Sequence, residues 1–380
     1  MVVVIIGVLV ALLLPVVGGA MRTARNATVT GEFSTISQSI ASFRNKYGED
    51  PPSRIMLCED GFWDVQSPTE TALTANPKDI TREELARRSV QFLRKFWPRV
   101  PISTTVPLFD GSGSWYDFNG NGVFDGTGNG TGVILTGDEC LVFFLGGIPQ
   151  ATGTTGDPGI AVAGFAKGSI LYPPVAGSSP GTLPQPFRNN LNNGVTTNRA
   201  YGPDREPSTF EFKADRLRDL DGDGFPSYMD ALNNDKPYVY FKAYTGHGGY
   251  DPNDVNFAEA DDANSAITAV ARNFYTTHIV GQPAAPTRVT MSPAPNPYTS
   301  GLAFDSTRGA ISYHKDTSFQ LISAGGDGLF GPGGQYAPNA NQKLPLEPGT
   351  TAVPNLNTTD ADIRSRERDN LANFASGKLD

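Results

Sequence analysis

The chain opens on an unbroken apolar run. Residues 1–21 (MVVVIIGVLVALLLPVVGGAM) hold no charged side chain, and about 20 apolar residues at ~1.5 Å of helical rise match the hydrocarbon core of a bilayer. After Arg22 and Arg25 the pattern turns amphipathic. Phe33, Ile36, Ile40, Phe43 and Tyr47 recur at spacings of three and four, which is one face of a continuing helix. Gly48 and the pair Pro51 and Pro52 then stop it. The pattern predicts a transmembrane segment over 1–21, an amphipathic stem over 22–50 and a globular head over 51–380. Pro15 removes one backbone hydrogen bond inside the apolar half, which predicts a kink or a local loosening. A cleaved signal peptide, with Gly18 and Ala20 before the cut, would have no reason to continue in helical register.

In the head, Thr81-Arg-Glu-Glu84 is a capping box that predicts a helix to about Trp97, with Leu85, Phe92, Leu93 and Phe96 on its buried face. Residues 133–145 (VILTGDECLVFFL) mix helix and strand signals, and the run from Cys140 to Leu145 belongs to a core. Residues 150–205 are rich in Gly, Pro, Thr and Asn, which predicts loops and short strands. Aromatic and β-branched alternation predicts strands at Pro207–Phe212, Pro237–Tyr244 and Ser318–Ser323. Asp261–Tyr275 has a helical face in Ala266, Ile267, Val270 and Phe274. The proline-rich stretch 281–301 predicts an extended surface segment. The expected fold class is α+β: a long N-terminal helix, apolar and then amphipathic, packed on a loop-rich head with an antiparallel β-sheet.

The segment VVVIIGVLVALLLPVV, its small residues and basic turn, and the amphipathic stretch ending in NKYGEDPPS resemble type IV pilins and the pseudopilins of type II secretion. Gly7 and Pro15 stand at the spacing of that family's N-terminal helix, and Tyr47 to Pro52 match its helix exit. Aligned on Gly7 and Pro15, the family's basic leader, Gly-Phe junction and early glutamate fall upstream of Met1. A start assigned too late is the expectation. The resemblance covers residues 1–53 and extends, in looser form, over 311–374. It implies a single-pass protein of a bacterial inner membrane with its head in the periplasm or on an extracellular filament. The implied partners are other copies of the chain, other pilin-like subunits through the N-terminal helix, and the secretion or assembly machinery of that membrane.

Composition limits the alternatives. The 380 residues include 42 Gly and 30 Pro, yet 10% are aromatic, so the chain is rich in loops but carries the bulky side chains that fold a core. A net charge of −9 gives no electrostatic support for nucleic-acid binding. Cys58 and Cys140 are too far apart in sequence for a local metal knuckle and fit either one disulfide or two buried thiols. His247, His278 and His314 are scattered, so neither a histidine zinc site nor a triad is expected. No nucleophile elbow, P-loop or zinc signature is present, and no enzyme is expected.

The sharpest local chemistry is Asp219-Leu-Asp221-Gly-Asp223-Gly224-Phe225-Pro-Ser227-Tyr-Met-Asp230. It matches a twelve-residue calcium loop, with carboxylates at the first, third and fifth places, glycine at the sixth, the Phe225 carbonyl beyond it and Asp230 last. The same residues also fit an Asp/Gly turn held by side-chain hydrogen bonds and no metal. A weaker relative, Asp117-Phe-Asn119-Gly-Asn121-Gly-Val-Phe-Asp125, repeats the spacing with two neutral amides; it fits a tight Asn-Gly turn equally well. Asp327, in Ser323-Ala-Gly-Gly-Asp327-Gly, stands where the resemblance places the acidic ligand of a major pseudopilin's C-terminal calcium loop. The later ligands of that loop are replaced by Gly331 to Gly334 and Gln335.

The leading expectation is a structural subunit of a type II secretion pseudopilus or type IV pilus-like filament, with Ca2+ ordering its head. The other is a membrane-tethered or secreted calcium-dependent binding module, directed at carbohydrate through exposed aromatics such as Trp115 and Tyr116.

Overall fold

The computed structural model describes residues 2–66, 80–98, 100–109, 115–120, 124, 132–151, 160–165, 169–171, 182–184, 190–191, 199–200, 205–232, 236–244, 249–251, 254–255, 295–301, 312–331, 333–345, 364–365 and 367–380. The expected helix at Asp261–Tyr275 lies outside them.

Helix α1 (Val2–Tyr47) is one element of 46 residues and runs unbroken through Pro15. Its side chains are described from Val17 onward, apart from Gly18. Phe33, Ile36, Ile40 and Phe43 are buried on the apolar face the sequence spacing predicts, Val29 joins them, and Tyr47 is half-buried. The Gly48 N–H donates to the Arg44 carbonyl, and Arg44 and Lys46 complement the negative end of the helix. Arg44 also pairs with Asp50, fixing the chain as it leaves the helix.

Among the described residues no helix is long and apolar enough to cross a membrane. That overturns the expected single-pass placement in a bacterial inner membrane. The reason is charge: within the stretch that begins at Val17, Arg22, Arg25 and Glu32 all fall on the helix, and each is expensive in hydrocarbon.

Strand β1 (Ile55–Leu57) leaves the stem, and helix α2 (Arg82–Phe96) packs on it, with the Ser89 hydroxyl accepting from the Met56 N–H at 2.8 Å. Thr81 caps α2 as predicted, accepting from the Glu84 N–H. The ambiguous stretch 133–145 divides at Thr136. Strand β2 (Val133–Leu135) pairs antiparallel with β1, and helix α3 (Gly137–Gly146) is buried on all sides. Ring contacts among Phe43, Tyr47, Phe92, Phe96, Phe143 and Phe144 bind the stem to α2 and α3.

The loop-rich middle holds short antiparallel pairs: β3 (Pro149–Ala151) with β4 (Ile160–Val162), β5 (Ser169–Leu171) with β6 (Thr182–Pro184), and β7 (Asn190–Leu191) with β8 (Arg199–Ala200). A 3-10 turn (Ala214–Arg216) then leads into the hairpin β9 (Leu217–Arg218) and β10 (Ser227–Tyr228). The predicted strand at Pro207–Phe212 does not form. Phe210 and Phe212 are both buried, 4.7 Å apart and packed together, and the Thr209 N–H donates to the Leu145 carbonyl of α3 rather than to a strand.

The main sheet is antiparallel, ordered β11 (Val239–Lys242), β13 (Phe319–Ser323) and β15 (Leu371–Ala372). Alternation along it separates two cores. Tyr238, Tyr240, Phe319 and Leu321 face the core shared with α1, α2 and α3. Val239, Phe241 and Ile322 face a second core closed by the C-terminal loops. β12 (Asn296–Thr299) and β14 (Gly333–Gln335) form a parallel pair beside this second core. The stretch around β12 was expected on the surface, but all four of its residues are buried. The α+β class with antiparallel strands therefore holds.

Candidate metal centre

The loop of alternating aspartates is the turn of the β9–β10 hairpin, whose strands pair Arg218 with Ser227. Gly222 and Gly224 both take positive φ, 85° and 92°, a region that side chains with a Cβ avoid. Asp219 shapes this turn, with its two carboxylate oxygens accepting from the Gly222 N–H at 2.7 Å and the Gly224 N–H at 3.0 Å. Asp223 accepts from the Phe225 N–H. Phe225 is buried and sets its ring 5.5 Å from that of Phe143 on α3, so the loop is anchored by an aromatic rather than left loose.

That anchor brings the loop to the first turn of α3. The Ser227 hydroxyl donates to Asp138 at 2.6 Å. Beside it, Glu139 offers a carboxylate oxygen that lies, with those of Asp221 and Asp223, in a group whose members are all within 4.8 Å of one another. Glu139 also accepts from the Thr136 N–H at 2.9 Å, the backward half of a capping box. Burial pushes the Glu139 carboxyl far above its ordinary range, and the charges of Asp223, Asp138 and Asp221 push it further. Burial and then Asp221 raise Asp223 to about 9. Burial and then the Asp219 side chain raise Asp221 to about 6. Three ionised carboxylates in so small a space need a cation between them.

The donor set is all oxygen, which suits a hard divalent cation. The three oxygens stand close enough together for one divalent cation to touch them all.

The predicted ligands divide. Asp221 and Asp223 join the group, whereas Asp219 caps backbone amides. Asp230, expected at the twelfth place, is buried elsewhere: it accepts from the Leu232 N–H at 2.8 Å and from the Ser323 hydroxyl. The reason is the pairing of Met229 with Pro237, which carries Asp230 on toward β13. Asn119 does reach the loop. Its amide donates to the Asp223 carbonyl at 3.0 Å, and it packs against Gly224. Asp117 is buried nearby in sequence, and Asn121 and Asp125 lie outside the described residues. Asp327 is not part of this group; it sits in the C-terminal glycine loop, where its N–H donates to Asp369.

Sequence reasoning missed Glu139. Its one signal was Thr136-Gly-Asp-Glu139, a capping-box pattern that places two carboxylates at a helix N-terminus. Other expectations resolve more simply. Cys58 and Cys140 are buried free thiols, not a disulfide. Tyr116 is not an exposed aromatic: it is buried, and its hydroxyl donates to the Pro101 carbonyl. Trp115 is half-buried, with its ring edge-on to Phe124. His314 bonds the Tyr336 carbonyl and stacks on Phe374; His247 and His278 lie outside the described residues.

No protein-family model, no curated protein and no solved structure matches this chain.

Proposed function

We propose that this chain is a structural subunit of a helical filament of the type II secretion pseudopilus or type IV pilus-like kind, its N-terminal helix packing against the same helix of neighbouring copies. One observation carries the reading. α1 is a single helix, and Val29 is its first buried residue among those whose side chains are described. From Val17 to Thr28 it is almost wholly exposed, with the large apolar side chains of Val17 and Met21 in solvent. The backbone helix continues to Val2 and has an apolar sequence, so about 40 Å of helix at ~1.5 Å per residue lies before Val29. A lone subunit has no use for such an extension; side-by-side packing of several would bury it. The partners are other copies of the chain and related pilin-like subunits.

The head's part in this is to hold a fixed shape, and the Asp221, Asp223 and Glu139 group supports a calcium site that orders its loops. The test of the filament is electron microscopy of the full chain against a chain starting at Thr28. Fibres from the first and a folded monomer from the second are expected. A full chain that stays monomeric at high concentration would sink the reading. Calcium is tested separately by calorimetric titration, in which the paired change Glu139→Gln and Asp223→Asn abolishes binding.

A further inference from the structure

A cleft of about 320 Å³ opens where α1 meets the head, walled by Arg22 and Arg25 on the helix and by Asp327, Asp369 and Lys378 on the C-terminal loops. Arg22 and Arg25 are exposed and one turn apart on the same helix face. Neither they nor Lys378 makes an ion pair among the described residues, although two carboxylates share the cleft. Those carboxylates are already engaged. Asp369 accepts from the Gly326 N–H at 2.7 Å and the Asp327 N–H at 3.1 Å, and Asp327 accepts from the Leu329 N–H at 2.8 Å. The cleft thus offers three cationic side chains in a chain whose net charge is −9.

We propose that this cleft receives acidic side chains from the head of a second copy, and that this contact sets how neighbouring subunits dock along the filament. The inference rests on the filament reading and names its contact surface. Three points favour a second copy. The cleft lies within two turns of Val29, where the stem enters the head, so stems packed side by side bring a neighbouring head against it. The chain as a whole supplies the complementary sign, since acids exceed bases by 39 to 30. A basic cleft meeting carboxylates on a different part of the neighbouring head is a heterologous contact, which repeats without closing and so builds a fibre rather than a dimer. Guanidinium groups suit this role because their planar fork binds carboxylates through two bonds.

The experiment uses the full chain, assembled from equal parts of ordinary and 15N-labelled protein. Zero-length carbodiimide coupling joins an amine directly to a carboxylate it touches, and Lys378 is the amine in the cleft. Mixed-isotope links between Lys378 and head carboxylates are expected. So is a roughly tenfold or greater weakening of assembly in Arg22→Glu with Arg25→Glu, and a comparable weakening in about 1 M NaCl, where the screening length is ~3 Å. Arg22→Lys with Arg25→Lys keeps the charge but not the two-bond fork, so it should lose far less assembly than the reversal; loss equal to that of the reversal would overturn the inference. Fibres that form equally well after charge reversal, with Lys378 linked only within its own copy, would overturn it while leaving the filament intact. A full chain that never assembles would remove the filament reading first, and the docking contact with it.

Discussion

Asp254 is wholly buried and carries a carboxyl that water would normally keep ionised. The Ser53 hydroxyl donates to it at 2.5 Å, and that same hydroxyl accepts from the Lys242 N–H. Burial, and then the charge of Asp251, raise it to about 8; hydrogen bonds from Ser53 and Tyr244 and the charge of Arg54 offset only part of this. The fold therefore prefers the neutral acid. A raised carboxyl contributes stability that is present below its unfolded value of 3.8 and is lost as pH rises toward about 8. Asp254→Asn should flatten that loss, gaining on the order of 1–3 kcal/mol over the parent at pH 8 relative to pH 5. Urea midpoints at the two values measure it, and equal slopes for parent and variant would refute it. The opposite case is Glu32 on the stem. Burial pushes it up, yet hydrogen bonds from Arg216 and Tyr238 outweigh this and hold it below its ordinary range. Arg216 also donates to the Met229 carbonyl and lies 4.2 Å over the Tyr228 ring. Arg216→Met leaves Glu32 with only the exposed Lys213, 3.7 Å away, as a charge partner and should destabilise by roughly 3 kcal/mol, with Glu32→Gln in the same chain recovering part of it. Denaturant unfolding of both variants is the check. Residues like these explain what could be foreseen at the candidate site. The Asp-x-Asp-x-Asp-Gly spacing is local and stood out in the sequence. The third carboxylate comes from Glu139, distant in the chain and brought there by the packing of Phe225 on Phe143 and the Ser227–Asp138 hydrogen bond.

Elements follow the same division between local signal and long-range packing. The stem could be foreseen because an apolar face repeated every three or four residues has one reading, and α2 because Thr81 and Glu84 mark its start. Strands β11 and β13 also stood out, because both lie in runs of aromatic and β-branched residues. The pair at Phe210 and Phe212 imitates strand alternation, but its two rings bury themselves in one cluster with Tyr228. The two- and three-residue strands of the middle region are too short to leave a period at all. Contact between α3 and β11 gives the most specific expectation at this scale. Gly137 opens α3 so close to the sheet that an added Cβ would stand 1.9 Å from the Tyr240 carbonyl oxygen. Gly137→Ala must push helix and strand apart and should cost about 3 kcal/mol or more. Gly31, exposed on the stem with nothing within 4 Å of an added Cβ, is the contrast. Gly31→Ala should stabilise by roughly 0.5–1 kcal/mol through helix propensity alone. Thermal unfolding of the two variants distinguishes them, and shifts of the same sign would contradict this account of the packing.

For the whole molecule, the main strands lie between two cores, and the acidic loop stands where three parts meet. The loop rests on α3 through Phe225 and Ser227, touches the Asp117–Asn119 segment through Asn119, and continues to Asp230. Asp230 bonds Ser323 at the end of β13, whose hydroxyl also accepts from the Gly325 N–H, which opens the C-terminal glycine loop. Local turns are therefore wired to the main sheet, and a cation at Asp221, Asp223 and Glu139 would act on more than its own loop. A ligand that binds only the folded head at about 100 times its dissociation constant adds about 2.7 kcal/mol of stability. Calcium should raise the unfolding midpoint accordingly. Amide exchange should slow at Gly222, Gly224 and Phe225, at the first turn of α3, and more weakly at Gly325 and Gly326. Glu139→Gln with Asp223→Asn relieves the crowded carboxylates, so this variant should be at least as stable as the parent in chelator while losing every calcium effect. Magnesium, with shorter bonds of ~2.1 Å and a stricter octahedron, should protect far less. Equal protection of parent and variant by calcium would place the ion elsewhere. Protection confined to the hairpin turn would show that the path through Asp230 and Ser323 carries no coupling.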